Sequence, residues 1–425
     1  MKLRFIDLFA GVGGVRLGFE AAAQQLKLKA ECVFSSEINE EARKTYELNF
    51  KEKPSGDITQ IKSEDIPEFD FLLGGFPCQP FSYAGKMMGF GDTRGTLFFE
   101  IERILAHHKP WGFMLENVRG LTSHDKGRTF ETILKKLRAL GYSVGFTLLN
   151  SSSVGVPQNR VRVYIVGVRS VKLNFNIPSD LGARDSHHFK KMSEQPDLFS
   201  QHPIALVKSI LERNPSKKYD CSPDFSESLS EIVNGDFNKL NGIRLIDTRH
   251  GNSIHSWEVG IKGVCNQHEV KFMNLLISNR RKKKFGREKD GKMLTKMQIL
   301  TFCDLKLFEK ATPGLLKKGY LKCIEGLYSP VAGNMSFEVF KFLDPNSISI
   351  TLVSSDAHKL GVYYNNRLRR ITPRECARLQ GFPDSFIVHP KDERAYHQFG
   401  NSVSVPVVTY VIGHVLKGNS IKRAN

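Results

Sequence analysis

The sequence predicts a doubly wound, Rossmann-like α/β domain with a smaller domain inserted into it, and three observations support this. Short apolar runs alternate with amphipathic stretches through the first 170 residues, the rhythm stops near residue 172, and α/β character returns only near the C-terminus. Alternating strand and helix patterns are the signature of a parallel sheet covered by helices on both faces. With 425 residues, 40% hydrophobic and 25% charged, the chain is long enough for two domains of ordinary composition.

Taken in order, residues 3–9 read as a strand and 15–25 as the helix that follows it. Residues 31–35 and 39–50 repeat the pair, and so do 69–73 and 97–107. A strand at 112–115, a helix near 129–140 and a strand at 161–168 close the domain. The expected divisions are 1–172 for this domain, 173–369 for the insert, 370–395 for a hinge and motif, and 396–425 for a return to the first domain.

Inside the insert, residues 294–300 and 304–308 carry helical patterns, and a third helix over 315–321 has Gly319 placed for a C-cap. Residues 328–342 suit a turn-linked strand pair. Three helices and a hairpin resemble a winged helix-turn-helix, which would present Lys317 and Lys318 to a nucleic acid. The alternative is an irregular insertion whose helices pack only on one another. His250 to Gly260 is open between base contacts and a structural turn around Trp257, with the turn favoured.

The formal charge of +18 points to a polyanionic partner. Between Arg280 and Lys296 nine Lys or Arg, among them Lys282, Lys283 and Lys284, face only Glu288 and Asp290, so much of the excess sits in one segment. The seven cysteines include no Cys-x-x-Cys pair, which argues against a disulfide scaffold or a zinc site. Asp7 interrupts the N-terminus before a signal-peptide core can form, and no uninterrupted run approaches a membrane span, so a cytoplasmic protein is expected.

Several stretches carry chemistry. Phe9 to Gly14 places glycines between the first strand and helix, where a ligand can approach helix N-terminal amides. Glu37 ends the second strand, where a carboxylate accepts ribose hydroxyls, and Asp57 stands where it can accept an adenine amino proton; each could instead be a turn or cap residue. Cys78 follows Pro77 on a glycine-entered turn, which presents a thiol; a small buried hydrophobe is the competing reading. Glu116 ends an apolar strand on the same sheet edge, where desolvation lets a carboxyl keep a proton. Arg160 and Arg162, two apart in a strand, are expected on one face, where they could hold a carbonyl oxygen and orient Glu116; the competing readings are Glu116 as a cap and the arginines as surface ion-pair formers.

These stretches, with Gln158 and Asn159, Arg370 to Pro383 and Gln398 to Val403, resemble the ordered motifs of the bacterial C5-cytosine DNA methyltransferases. The resemblance covers roughly residues 1–170 and 368–412, and is nearest to the small restriction–modification members with a single target-recognition domain. It implies an S-adenosylmethionine-dependent methyltransferase domain and a cofactor held by Phe9, Gly11, Val12, Gly14, Glu37, Ile38, Asp57, Ile58, Pro77, Leu97, Asn401, Ser402 and Val403. Cys78 becomes the nucleophile toward cytosine C6 and Glu116 the proton donor to N3, with Arg162 and Arg160 on the base carbonyl. Residues 79–95 become a loop closing over a flipped base, with Gln79 and Ser82 facing DNA. Arg94 is open between a phosphate contact and an ion pair anchoring that loop. Thr351 is similar to a Thr-Leu pair near the end of the recognition region, and Arg374 and Arg378 are expected as structural supports.

The implied partners are double-stranded DNA and a cognate restriction endonuclease encoded alongside, for a monomeric enzyme without metal. Three rival readings are weighed. An RNA-methylating relative would carry Cys-Phe-Thr, where this chain has the reverse, Thr301-Phe302-Cys303. A catalytically dead DNA-binding protein does not need Cys78, Glu116 and Arg162, and a nicotinamide oxidoreductase does not explain Cys78 with residues 158–162.

Overall fold

A computed structural model describes residues 2–76, 97–169, 172–177, 205–247, 251–286, 293–331 and 337–419. Two compact units divide the chain: Met1–Ile210, Ile348–Ala357 and Pro373–Asn425 form the first, Leu211–Ser347 and His358–Thr372 the second.

The first unit opens with β1 (Lys2–Leu8), α1 (Gly14–Gln25), β2 (Lys29–Ser36), α2 (Glu40–Phe50) and β3 (Phe71–Gly75). It continues with α3 (Leu97–His108), β4 (Gly112–Val118), α4 (Arg128–Ala139), β5 (Tyr142–Asn150) and β6 (Val161–Arg169). The six strands lie in the order β2-β1-β3-β4-β6-β5. β1 to β4 are parallel as expected, but β6 runs antiparallel to both β4 and β5, so the sheet is mixed. β5 was absent from the expected elements. It reaches β6 through residues 151–160 with no crossover helix, and so short a connection permits only antiparallel pairing.

Strands buried on both sides explain why β3 and residues 112–115 of β4 read as unbroken apolar runs. One face packs Phe5, Phe71 and Met114 with Phe19 of α1, and the other packs Leu72, Phe113 and Leu115 with Ile101 and Ile133. Three more helices complete this unit from the far end of the chain; in chain order they are α10 (Pro373–Leu379), α11 (Asp392–Asn401) and α12 (Val405–Gly418). The expected return to the first domain is met by α12, whose Val408 comes so close to Gly18 of α1 that an added Cβ would lie 2.5 Å from its side chain. The stretch Asp392–Gly418 is long and apolar enough to cross a membrane, contrary to the sequence expectation, but 67% of its most apolar window is buried in the fold.

The units do not follow the expected bounds. Residues 348–357 belong with the first unit because Gln158, Asn159 and Arg160 bond their backbone: Gln158 Oε1 accepts from Leu352 N at 2.8 Å, Asn159 N donates to Ser349 O at 2.8 Å, and Arg160 Nη1 donates to Leu352 O at 2.7 Å. Residues 205–210 join it as well, with the Ile210 carbonyl held by Arg378 at 3.1 Å.

The second unit contains α5 (Pro223–Val233), β7 (Arg244–Leu245), β8 (Ser253–Ile254), α6 (Ser256–Val259), α7 (Gln267–Asn279), β9 (Leu294–Thr295) and α8 (Lys296–Ile299). It continues with α9 (Leu305–Lys318), β10 (Leu321–Ile324), β11 (Leu327–Pro330), β12 (Lys341–Leu343), β13 (Leu360–Tyr364) and β14 (Arg367–Arg370). Its sheets are ordered β10-β11-β9 and β14-β13-β12-β7-β8. The helices and hairpin expected over 294–342 exist in a different register. The two stretches expected at 304–308 and 315–321 belong largely to one helix, α9, whose Pro313 lies exposed on its outer face, and the hairpin is β10–β11. The segment around Trp257 is a structural turn. Trp257 is buried, its ring stacks on His255 at 4.4 Å, and His255 is itself buried with Nδ1 2.6 Å from the Ile246 carbonyl oxygen.

Candidate functional site

The parallel strands β1 to β4 end on one edge of the sheet, and the first residues of β6 lie beside the end of β4, with Arg162 paired to Val118. Ligands of open α/β sheets bind along this edge. There a cleft with about 660 Å³ of empty space, part of it open to solvent, is lined by Phe9 to Val12, Gly14, Val15, Glu37, Asn39, Ala42, Gly75, Glu116 and residues 397, 398 and 401–403.

The turn after β1 shapes one wall. Phe9, Gly11 and Gly13 all take left-handed φ, 56°, 55° and 90°, which turns the chain sharply into α1. Gly14 then sits so close to Ser402 and Val403 that a Cβ would meet them at 2.9 and 3.0 Å. Glu37 reaches across from the end of β2, accepting from Gly11 N at 2.9 Å through Oε2 and from Asn39 N at 2.7 Å through Oε1. Its carboxylate is thereby fixed, while each oxygen keeps capacity to accept from a ligand hydroxyl.

Of the residues expected to hold a cofactor, the cleft gathers Phe9, Gly11, Val12, Gly14, Glu37, Asn401, Ser402 and Val403. It does not gather Asp57, Ile38, Ile58 or Leu97. Asp57 caps a short 3-10 turn by accepting from Thr59 N at 3.0 Å, Ile38 is 70% exposed, Ile58 is core, and Leu97 is half-buried at the start of α3. Pro77, Cys78, Gln79, Ser82 and Arg94, with the expected closing loop, lie outside the described residues. The structure adds Asn39, Gly75 and His397, which the sequence reading missed. His397 had a signal: it lies one turn before Asn401 on α11, and the two side chains come within 3.4 Å.

At the other end of the cleft, Glu116 is 8% exposed and pairs with Arg162, Oε1 to Nε 3.1 Å. Burial raises its carboxyl above the usual carboxylate range, against the opposing pull of Arg162 and then Arg160. Gly75 lies opposite Glu116 in the β3–β4 register, and its missing side chain leaves that carboxyl facing the cleft. The two arginines do not share a task. Arg160 precedes β6, so the alternation rule does not govern it. Its guanidinium, 3% exposed, donates to the carbonyls of Leu352 and Ser402. Burial, with Arg162 adding to it, brings Arg160 down to about 10.

Two amides fix the backbone around this centre. Asn117 Nδ2 donates to the Phe76 carbonyl at 2.9 Å and its Oδ1 accepts from Val118 N at 2.8 Å, which holds the chain two residues before Cys78 in sequence. Gln158 is fully buried and donates to Leu379 O at 2.6 Å while accepting from Leu352 N. The Thr351 hydroxyl donates to Asn159 O. Arg374 donates to Phe386 O at 2.7 Å, and Arg378 grips Asp384 at 2.7 and 2.9 Å; both brace the first unit itself, where supports for the recognition region were expected.

In the second unit Lys282, Lys283, Lys284 and Lys317 are exposed. Lys318 is not free: its ammonium lies 2.6 Å from Glu269, a carboxylate 2% exposed that also caps α7 by accepting from Asn266 N at 2.8 Å. No group of three or more His, Cys, Asp or Glu able to hold a metal occurs among the described residues.

The family model for C-5 cytosine-specific DNA methylase matches residues 3–417. The chain is 63% identical over 415 residues to the Type II methyltransferase M.HgiCI of Herpetosiphon aurantiacus, covering 98% of each chain. It is 60% identical over 419 residues to the Type II methyltransferase M.BanI of Aneurinibacillus aneurinilyticus, covering 99% of this chain and 97% of the other. Among solved structures, the S. pombe Dnmt2 methyltransferase is similar in fold, with a TM-score of 0.53 at 20% identity over 98% of both chains.

Proposed function

The chain belongs to the C-5 cytosine-specific DNA methylases, and from that premise we propose a division of labour among its residues. The enzyme methylates C5 of cytosine in DNA and serves a restriction–modification system, protecting DNA from a cognate nuclease. The methyl donor is S-adenosylmethionine. Its ribose hydroxyls would be accepted by the fixed Glu37 carboxylate, with Phe9, Val12 and the 401–403 segment as walls, and when bound it supplies an electrophilic methyl group.

The target base leaves the duplex because its C5 and C6 are otherwise stacked. The Cys78 thiolate adds to C6 while Glu116 gives its proton to N3, which makes C5 nucleophilic. Once C5 has taken the methyl group, its proton passes to water, the electron pair left behind re-forms the C5–C6 double bond as the Cys78–C6 bond breaks and returns the thiolate, and N3 returns its proton to Glu116. Arg162 holds the Glu116 carboxyl in place and offers its remaining donors to the base carbonyl; Arg160 positions the backbone around it. The observation that carries this reading is Glu116, a carboxyl whose hold on a proton is raised by burial, facing the cofactor cleft beside Gly75 and paired with Arg162.

Gln79, Ser82, Arg94, Thr351, Lys282 to Lys284, Lys317 and, less directly given its ion pair, Lys318 remain proposed DNA contacts. A monomer in the cytoplasm, with its nuclease encoded nearby but not bound, completes the reading. The test is a base-resolution map of 5-methylcytosine in a methylation-deficient bacterial host expressing the chain, beside Cys78→Ser. Methylation at one short sequence, absent in the variant, is expected; an unmodified genome despite abundant folded protein overturns the reading.

A further inference from the structure

The second unit contains a fold of its own that the methyltransferase reading does not require. In chain order α7, β9, α8, α9, β10 and β11 follow one another, and the three strands pair antiparallel in the order β10-β11-β9. Helix, strand, two helices joined by a short turn, and a hairpin that closes on the first strand constitute the topology of a winged helix. A single core unites it: Phe272, Met273 and Leu276 of α7, Leu294 of β9, Ile299 of α8, and Leu307, Phe308, Ala311 and Leu315 of α9.

The register of α9 decides which face is free. Leu307, Phe308, Ala311, Thr312 and Leu315 are buried, so Lys306, Lys310, Pro313 and Lys317 form one exposed stripe. Asp304 caps the helix, accepting from Leu307 N at 2.7 Å, and the one acid near the start of the stripe, Glu309, is neutralised by Lys296 of α8 at 3.7 Å. Lys318 is spent on Glu269, which leaves Lys306 and Lys310 in the N-terminal half of α9 and Lys317 near its end as the exposed lysines. In helix-turn-helix proteins it is the N-terminal residues of the second helix that reach base edges. The hairpin turns on two residues at positive φ, Glu325 and Gly326, and carries Lys322 exposed.

We propose that residues 267–286 and 293–330 form a DNA-reading winged helix in which Lys306 and Lys310 of α9 face base edges in the major groove while Lys322 of the wing touches a phosphate. The inference rests on the methyltransferase reading and names its recognition element; two exposed lysines on a packed helix, opposite a polyanion, supply the complementarity.

The test uses the full chain. The site found by methylation mapping is placed in a fluorescein-labelled duplex, with a scrambled duplex of equal length beside it. Lys306→Ala/Lys310→Ala is expected to weaken binding to the mapped duplex at least about 10-fold and by clearly more than to the scrambled one. Its melting temperature and its calorimetric affinity for S-adenosylhomocysteine should stay those of the wild type. Lys306→Arg/Lys310→Arg should recover much of the loss. Lys322→Ala should weaken both duplexes alike and lower the salt slope by about 1. A double alanine variant that binds both duplexes as the wild type does, or loses equally on both, overturns the inference while leaving the enzyme's reaction intact. A wild type that leaves the genome unmethylated overturns the methyltransferase reading and this inference with it.

Discussion

The edge of the first unit's sheet, where the proposed chemistry lies, and the outer face of α9, the proposed DNA contact, use charge in opposite ways. At the sheet edge the charges are withdrawn from water: Glu116 and Arg160 are 8% and 3% exposed, and each is committed to a specific partner. On the outer face of α9, Lys306, Lys310 and Lys317 stand in solvent. Buried charge is costly unless paired, so each sheet-edge group has a fixed neighbour and its loss is felt in chemistry or folding. Exposed charge costs little to keep or remove, so its loss is felt only in binding.

Four experiments would break or sharpen that contrast. The largest effect belongs to Glu116→Gln, which keeps the shape but removes the transferable proton. Single-turnover methyl transfer should fall at least about 100-fold with S-adenosylhomocysteine affinity little changed. A variant within a few fold of wild type would remove Glu116 from the proton-donor role. The same carboxyl predicts the pH profile: activity should decline as pH rises through its raised pKa, and Arg162→Gln should carry that decline to higher pH, because the lost cation had favoured ionisation.

Next is Gln158→Ala. Leu352 N and Leu379 O would lose their buried partner, which should destabilise the first unit by roughly 2 kcal/mol or more, read by denaturant unfolding. An unchanged midpoint would mean that residues 348–357 are held mainly by other contacts.

A third case is Asp7, fully buried with both oxygens unpartnered, whose pKa is pushed up to about 8 by burial. Arg16 opposes that rise, while Glu20 and Glu37 add to it. The native state therefore holds a proton that the unfolded chain releases near 4, and stability should fall as pH rises from about 4 to about 8. Asp7→Asn should raise the melting temperature at pH 8 by a few degrees and change it little at pH 4; equal shifts at both would exclude titration as the cause.

The smallest expected effect separates two adjacent lysines. Lys318→Ala strands the buried Glu269 and should cost the second unit about 1 kcal/mol, with part of the Glu269 carboxylate still satisfied by Asn266 N. Lys317→Ala should leave stability within about 0.5 kcal/mol and weaken DNA binding instead. Equal melting curves for the two variants would erase the distinction.

Much of the first unit was legible because its signals are local. An apolar run of strand length, a glycine turn and a carboxylate at the strand end are adjacent in sequence and adjacent in space, so Phe9, Gly11, Glu37 and Glu116 could be assigned to one edge without knowing the sheet order. β5 and the reversal of β6 were not legible, since strand direction depends on how the connecting segment closes in three dimensions. Arg160 and Arg162 differ for the same reason. Two residues apart in sequence, they are separated by the point where β6 begins, and only that boundary sends one to backbone carbonyls and the other to Glu116.

The sequence by itself determined where the chemistry was to be sought: the proposed nucleophile Cys78, the proposed acid Glu116 and the glycine turn are residue types whose reactivity belongs to the side chain and its immediate neighbours. Tertiary structure alone decided which charges are free. Helix register puts Lys306 and Lys310 outward, a distant buried glutamate takes Lys318, and Gln158 fastens a segment nearly two hundred residues away. Those outcomes rest on long-range packing and pairing, in which a residue's role is set by what the fold brings against it.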